Sequence, residues 1–363
     1  MAGARSVLRP LYLTVYTRHW LRLAGVRIGK GAEVSTVVGL NRLSTFASGS
    51  FATDDVVFAG ARARNGWLHV APIEVGPGTF LGNSCILPAG TKLGADGLIG
   101  VLTMAPRETA DGTSWFGTPA LELPRVPDQG DPSRTTTPPR RLVIARAVMD
   151  AIRILLPATV SVAIAALVFC ALESVAAADG LLAMAAVTPF VLLAAGIAAS
   201  AFTIAAKWLI IGRYRAGEHP FWCSFVWRDE IINCLQEELA RPWLLGAAVG
   251  TPVIGAYLRA MGAKVGKNIW FESLNITEFD VVELGDGCVV NRAACVETHL
   301  FHDRLMRIGP ATLAPGSTLG PYSVVLPDTV IGAGTCVGGR SVVLRGEKLP
   351  AGTSWHGAPV VCL

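Results

Sequence analysis

The chain has 363 residues, with 31 Lys and Arg against 27 Asp and Glu, a formal net charge of +4. Charged residues make up only 16% and hydrophobic ones 52%, with a mean hydropathy of +0.48. Soluble domains are roughly a quarter charged, so the composition excludes an ordinary fully water-soluble protein. No dense Lys/Arg run appears, and nucleic acid is not an expected partner. The eight cysteines (Cys85, Cys170, Cys223, Cys234, Cys288, Cys295, Cys336 and Cys362) form no CxxC pair. They read as reduced thiols rather than a disulfide framework or a zinc knuckle.

In chain order, LYLTVY (11–16) is too short for a cleavable signal peptide. With Arg18, His19 and Arg22 after it, the segment predicts an amphipathic entry helix. A sixfold periodicity follows. Aliphatic residues recur at Val75, Leu81, Leu87, Leu93 and Ile99, with small residues four positions on at Thr79, Cys85, Thr91, Gly97 and Thr103. Near Asp128 to Pro139 the chain is rich in Pro and Thr and reads as a linker.

Two uncharged apolar runs come next, Ile154–Leu172 and Gly180–Ala206. A bilayer core needs about 20 apolar residues in a helix, so both qualify as spans. Arg140, Arg141, Arg146 and Arg153 precede the first, and Lys207, Arg213 and Arg215 follow the second. The connection carries only Glu173 and Asp179. The excess of positive charge on the outer flanks predicts a hairpin with both flanks cytoplasmic. PWLLGAAVGTPVIGAYLRAMGA (242–263) predicts an amphipathic segment on the membrane surface.

The sixfold period then returns through Leu284, Val290 and Val296 and, from Leu313, through Leu319, Val325, Ile331, Val337, Val343 and Leu349. Cys288, Ala294, Ser317, Ser323, Thr329, Thr335 and Ser341 hold the small positions. A period of six fits neither a helix nor a simple strand. It fits a left-handed parallel β-helix, in which the aliphatic side chain points into a triangular prism and the small one fills a corner. The halves also match directly: GTSWFGTPA at 112–120 answers GTSWHGAPV at 352–360, 240 residues later. The expected fold is mainly β: two such hexapeptide-repeat domains flanking a transmembrane helical hairpin. The expected divisions are a degenerate first β-helix domain (1–125), a linker (126–140), the hairpin (141–215), an amphipathic segment (216–260) and a second, catalytic β-helix domain (261–363).

Chemistry is expected in VNRAACVETHLFHDRLMRIG (290–309). Here His299 faces outward beside a loop that interrupts the period. A His base deprotonates an acceptor amine or hydroxyl, and Glu297 or Asp303 would orient the imidazole. Because the side chain points out, replacing His299 is expected to leave stability within about 0.5 kcal/mol. An idle surface His or a loop anchor is the alternative. The first half has no visible counterpart of this stretch; its only nearby His is His69, and Phe116 stands where the second half has His356. A zinc site from His299, His302 and His356 lacks the needed spacing, and Cys295 reads as packing. Phosphate-binding GxxxxGK[ST] and Rossmann fingerprints are absent.

THLFHDR, GEHPFWCSFVWRDE, GWLHVAPIEVGPGTFLGNS and the repeated GTSW[FH]G[TA]P together resemble one family. It is the C-terminal membrane region of ε-poly-L-lysine synthetase and related single-module nonribosomal peptide synthetases, where tandem acyltransferase-like domains alternate with membrane helices. The resemblance implies a membrane-anchored module that forms isopeptide bonds between carrier-bound aminoacyl thioesters and an amine. His299, Glu297 and Asp303 would be catalytic; Asn291, Thr298, Arg304, Trp355 and His356 would bind substrate, with no metal. The acyl donor would be a phosphopantetheine or coenzyme A thioester, no cofactor being covalently bound. The partners implied are adenylation and carrier domains in cis or in trans, the lipid bilayer of the cytoplasmic membrane, and further prisms in an oligomer or pseudo-trimer. A non-catalytic scaffold or chain-length module, and a stand-alone coenzyme A-dependent acetyltransferase, remain open at this point.

Overall fold

The computed structural model describes residues 9–125 and 130–363; residues 126–129 of the expected linker and the first eight of the expected first domain lie outside it. The chain divides into two compact units. Unit 1 is Met1–Asp150 with Pro220–Trp222 and Phe301–Leu305; unit 2 is Ala151–His219, Cys223–Leu300 and Met306–Leu363.

Unit 1 carries a parallel coil with three faces. Strands Arg27–Ile28, Ser44–Phe46 and Ile73–Val75 form one sheet; Glu33–Val34, Phe51–Ala52, Phe80–Leu81, Leu98–Ile99 and Ser114–Phe116 form the second; Val37–Val38, Val56–Ala59 and Ile86–Pro88 form the third. The chain visits the three in turn, which is what a six-residue repeat produces when each hexad makes one short strand and one corner. The aliphatic hexad positions Val75, Leu81, Leu87 and Ile99 are all buried, and so are the corner residues Thr79, Cys85, Thr91 and Thr103. An antiparallel strand, Leu121–Leu123, closes the second sheet against Ser114–Phe116. Ahead of the coil, the helix begins only at Thr17 and runs to Leu23. None of LYLTVY is therefore α-helical.

Unit 2 repeats this plan. Its sheets run Lys264–Val265, Val282–Leu284, Ala311–Leu313, Thr329–Ile331, Lys348–Leu349; then Trp270–Phe271, Val289–Val290, Thr318–Leu319, Cys336–Val337, Ser354–His356; then Cys295–Val296, Val324–Val325, Val342–Val343. Leu313, Leu319, Val325, Ile331, Val337 and Val343 are fully buried, as are the corner hydroxyls of Ser317, Ser323, Thr335 and Ser341. Those hydroxyls meet backbone: Ser323 Oγ donates to the Gly320 carbonyl at 2.7 Å and Thr335 Oγ1 to the Pro350 carbonyl at 2.5 Å. At Gly320 the rungs approach so closely that a Cβ would stand 2.4 Å from the Gly339 nitrogen. The stacked aliphatic column supplies most of the stability, through burial. Leu319→Ala should therefore cost about 2–5 kcal/mol, read as a lower denaturation midpoint of the detergent-purified protein. An unchanged midpoint would place Leu319 outside the core.

Paired positions are normally one rung, 18 residues, apart, as for Ala311 and Thr329. One rung in each half is longer by about ten residues. Val282 pairs with Ala311 and Ser44 with Ile73, 29 residues apart in both cases. The extra residues form a hairpin in each: Ala61–Arg64 with Trp67–Val70, and His299–His302 with Leu305–Ile308. The turns match, with positive φ at Asn65 and Gly66 in one and at Asp303 and Arg304 in the other. That is the geometry of a two-residue type I′ turn. The first half therefore does have a structural counterpart of the second half's loop.

Between the coils in sequence, one helical segment among the described residues, Arg140–Ile210, is long and apolar enough to cross a membrane; it is interrupted at Gly180 with φ 87° and ψ 175°. The expected connection at Glu173 to Asp179 is itself helical. Ser161 accepts a hydrogen bond from Trp243 Nε1 at 2.8 Å, and a Cβ on Gly196 would stand 2.7 Å from the Trp243 carbonyl. A straight helix would hold residues 161 and 196 about 52 Å apart. Helical segments Ser224–Leu235, Gln236–Leu245 and Pro252–Met261 follow. Leu239, Leu245, Ile254, Leu258 and Met261 are fully buried. The apolar face expected on a membrane surface is instead covered by protein.

Candidate active site

The second coil's hairpin leaves the coil at His299. That departure places the imidazole over the preceding rung. Ile276 bridges Val296, and the residues beyond Ile276 come up beside those beyond Val296. Glu278 Oε2 lies 3.0 Å from His299 Nδ1. The same oxygen accepts hydrogen bonds from Thr298 Oγ1 at 2.5 Å and Thr277 Oγ1 at 2.7 Å. Thr277 Oγ1 is also 3.3 Å from His299 Nδ1.

The Glu278 side chain is 0% exposed and that of His299 19%, so the imidazole is the member of the pair that solvent or a substrate can reach. Glu278 sits at φ 38°, ψ 54°, a left-handed conformation unusual for a residue with a Cβ. Among the described residues its Oε1 is buried without a hydrogen-bond partner. Strained backbone and an orphaned buried oxygen are features that functional sites retain at a cost to stability.

Electrostatics couple the two groups. Burial alone would lower the imidazole's proton affinity. The Glu278 carboxylate, by charge and by hydrogen bond, outweighs burial, and Glu297 and Asp229 add to it, pushing His299 up to about 10. Burial likewise works to raise Glu278, but the His299 cation and the hydrogen bonds from His299, Thr277 and Thr298 hold it below the usual carboxylate range. Behind the pair, Asp229 is pushed well above the usual range by burial and by the nearby Glu278 charge. It accepts hydrogen bonds from Tyr214 Oη at 2.8 Å and Asn233 Nδ2 at 3.1 Å. The arrangement is an imidazole backed by a buried carboxylate, able to hold a proton and return it.

The carboxylate bonded to the His299 imidazole is thus Glu278, which sequence reasoning missed. Glu297 acts on His299 through its charge and accepts a contact from Cys295 Sγ at 3.4 Å. Thr298 is buried and bonds Glu278. Asn291 Nδ2 donates to the Leu319 carbonyl at 2.7 Å. Trp355 Nε1 donates to Thr353 Oγ1 at 2.8 Å, and His356 Nδ1 lies 3.5 Å from Ser341 Oγ. Asp303 and Arg304 belong to unit 1: Asp303 pairs with Arg125, and Arg304 is buried and donates to the Gly31 and Gly49 carbonyls at 2.7 and 2.9 Å. His302 Nε2 lies 3.0 Å from Arg125 Nη1. Of the expected residues, the structure brings His299, Thr298 and Glu297 together. Among the described residues no group of three His, Cys, Asp or Glu is arranged to hold a metal.

The expectation that His299 can be removed freely is corrected by the same geometry. Taking away the imidazole leaves the buried Glu278 carboxylate uncompensated, a loss of about 3–5 kcal/mol for a broken buried pair unless the carboxyl takes up a proton. In the first coil the pair is absent. Val57 pairs with Ile86 as Cys295 pairs with Val324, so Ala61 stands where His299 does, and the preceding turn reads Gly39–Leu40–Asn41 without a carboxylate.

No family model matches the sequence. Over 367 residues it is 33% identical to the delta-poly-L-ornithine synthetase of Acinetobacter baumannii (strain AB307-0294). The match takes in 98% of this chain and 27% of that synthetase, so the chain spans about a quarter of the length of the curated relative it matches. Among solved structures, a hexapeptide-repeat acetyltransferase of Vibrio cholerae is 17% identical with a TM-score of 0.24, over 30% of this chain and 76% of that one. A UDP-N-acetylglucosamine acyltransferase of Arabidopsis is 12% identical with a TM-score of 0.22, over 93% and 70%. TM-scores of this size fall well below those of a shared overall fold.

Proposed function

We propose that this chain is a membrane-anchored acyltransferase module that forms amide bonds between aminoacyl thioesters and an amine, as the C-terminal part or the partner of a homo-poly-amino-acid synthetase. The observation that carries the reading is the Glu278–His299 pair: a reachable imidazole on a buried carboxylate, present in one coil and replaced in the other. The identity to a poly-ornithine synthetase along nearly the whole chain supports the same chemistry. His299 takes the proton of the attacking amine. The amine enters neutral, and its proton passes to neutral His299 as the nitrogen bonds to the thioester carbonyl. The amine attacks the thioester carbonyl, the tetrahedral intermediate expels the thiolate, and the His299 proton returns to sulfur. The first coil, without the pair, has a structural or acceptor-holding role.

Donor identity separates this reading from a coenzyme A-dependent acetyltransferase and from a scaffold. Purified protein is given the same aminoacyl group as a carrier-protein thioester and as a coenzyme A thioester, with a diamine acceptor. Faster amide formation from the carrier supports the proposal; preference for coenzyme A supports the acetyltransferase, and no transfer from either supports the scaffold.

The helical segment Arg140–Ile210 is read as a transmembrane hairpin turning at Gly180, its coils left-handed β-helices on the cytoplasmic side. The proximity of Ser161 and Gly196 to Trp243 supports the hairpin; exposed Leu167, Leu182 and Phe190 support contact with lipid, and the basic flanks support the orientation. A cysteine introduced between Glu173 and Asp179 should react with an impermeant thiol reagent on intact cells, above the native-cysteine background, and one at Ser133 should not. Labelling at 133 alone would invert the topology. The hairpin Ala61–Val70, exposed along both strands with Trp67 at its turn, supports association with a further prism, since a lone two-stranded hairpin is marginal in water.

A further inference from the structure

Unit 1 contains a cavity of about 500 Å³ that the chemistry of His299 does not use. Its volume falls in the range of small-molecule sites. Its wall holds three cations, Arg18, Lys30 and Arg304, and one acid, Glu33. Arg304 is fixed there by its bonds to the Gly31 and Gly49 carbonyls. Three cations exceed what one carboxylate can neutralise. A phosphate, with several oxygens and up to two charges, matches them.

We propose that this cavity binds a phosphate ester through Arg18 and Lys30, with Arg304 adding its charge from the wall. Glu33 would otherwise repel such a ligand. Burial pushes it up to about 7, against the lowering by Arg304, Arg146 and Arg18 and with Asp150 adding to the rise, so near neutral pH it is partly protonated and the repulsion is reduced. The ester comes either from a phosphopantetheine arm or from a lipid headgroup, and the two sources are separable.

The test is calorimetric titration of the full chain in detergent with inorganic phosphate, 4′-phosphopantetheine and glycerol 3-phosphate. Saturable binding of at least one probe is expected, and the tighter of the two esters names the source. Lys30→Ala and Arg18→Ala should each weaken it about tenfold, the loss of one charge-assisted contact, and Glu33→Gln should strengthen it above neutral pH. Lys30 is exposed and Arg18 half-exposed, so both variants keep the fold. No saturable binding of any probe, or binding that both Lys30→Ala and Arg18→Ala leave unchanged, would overturn the proposal. The site shares no residue with the Glu278–His299 pair, so a wild-type chain that transfers but binds no phosphate probe fails this proposal alone, and one that binds a probe but transfers nothing fails the acyl-transfer reading alone.

Discussion

His299→Ala should lower the rate of amide formation by about 10²–10⁴, the contribution typical of a positioned proton acceptor. It should also lower the denaturation midpoint, because Glu278 loses the cation that neutralises it. His299→Asn isolates the chemistry: its amide can still donate to Glu278 Oε2 but cannot take a proton at neutral pH. The Asn variant should regain much of the stability and none of the rate. His302→Ala and His356→Ala should retain most of the activity, since His302 contacts Arg125 and His356 a corner serine. His69→Ala, on the exposed hairpin of the first coil, should be silent. A His299→Asn enzyme as active as wild type, with His302→Ala or His356→Ala inactive, would move the base elsewhere.

Glu278→Gln should have the second large effect, and it has a signature that lost packing cannot imitate. With Glu278 in place, the neutral imidazole appears only as pH rises towards about 10, so the rate should climb through the alkaline range. Without the carboxylate, His299 falls back towards the ordinary value near about 6.5. The rising limb then moves to lower pH while its plateau drops by on the order of 10³–10⁴, as when the orienting carboxylate of a serine-protease triad becomes an amide. Glu297→Gln should shift the limb only slightly, its charge being a lesser contributor. Rate–pH profiles that coincide for wild type and Glu278→Gln would remove Glu278 from the site.

The coil was legible in the sequence and Glu278 was not, because the two depend on different distances along the chain. The aliphatic column and the corner hydroxyls follow from a fixed period, and burial enforces that period at every rung. Partners across rungs need the rung length as well. Eighteen residues before His299 is Val281, but this rung is longer: Ile276 pairs with Val296, 20 residues on, and that excess brings Glu278 up to the imidazole. Glu297 and Asp303 were the candidates nearest in sequence, but the hairpin starting at His299 sends them elsewhere. The counterpart hairpin in the first half did carry a local signal: Asn65-Gly66 between ARAR and WLHV is a strong two-residue hairpin turn. The two apolar runs announced a break between them, yet the helix continues to Gly180, because Glu173–Asp179 is rich in alanine, the best helix former.

The most direct measurement is a single-turnover transfer from a carrier protein loaded with an isotope-labelled diamino acid to a free amine, followed by mass spectrometry. The wild-type chain should yield the one-residue amide while His299→Asn leaves the label on the carrier. Loss of label to water alone in the wild type, or the same amide at the same rate from both proteins, would contradict an amide-forming site at His299.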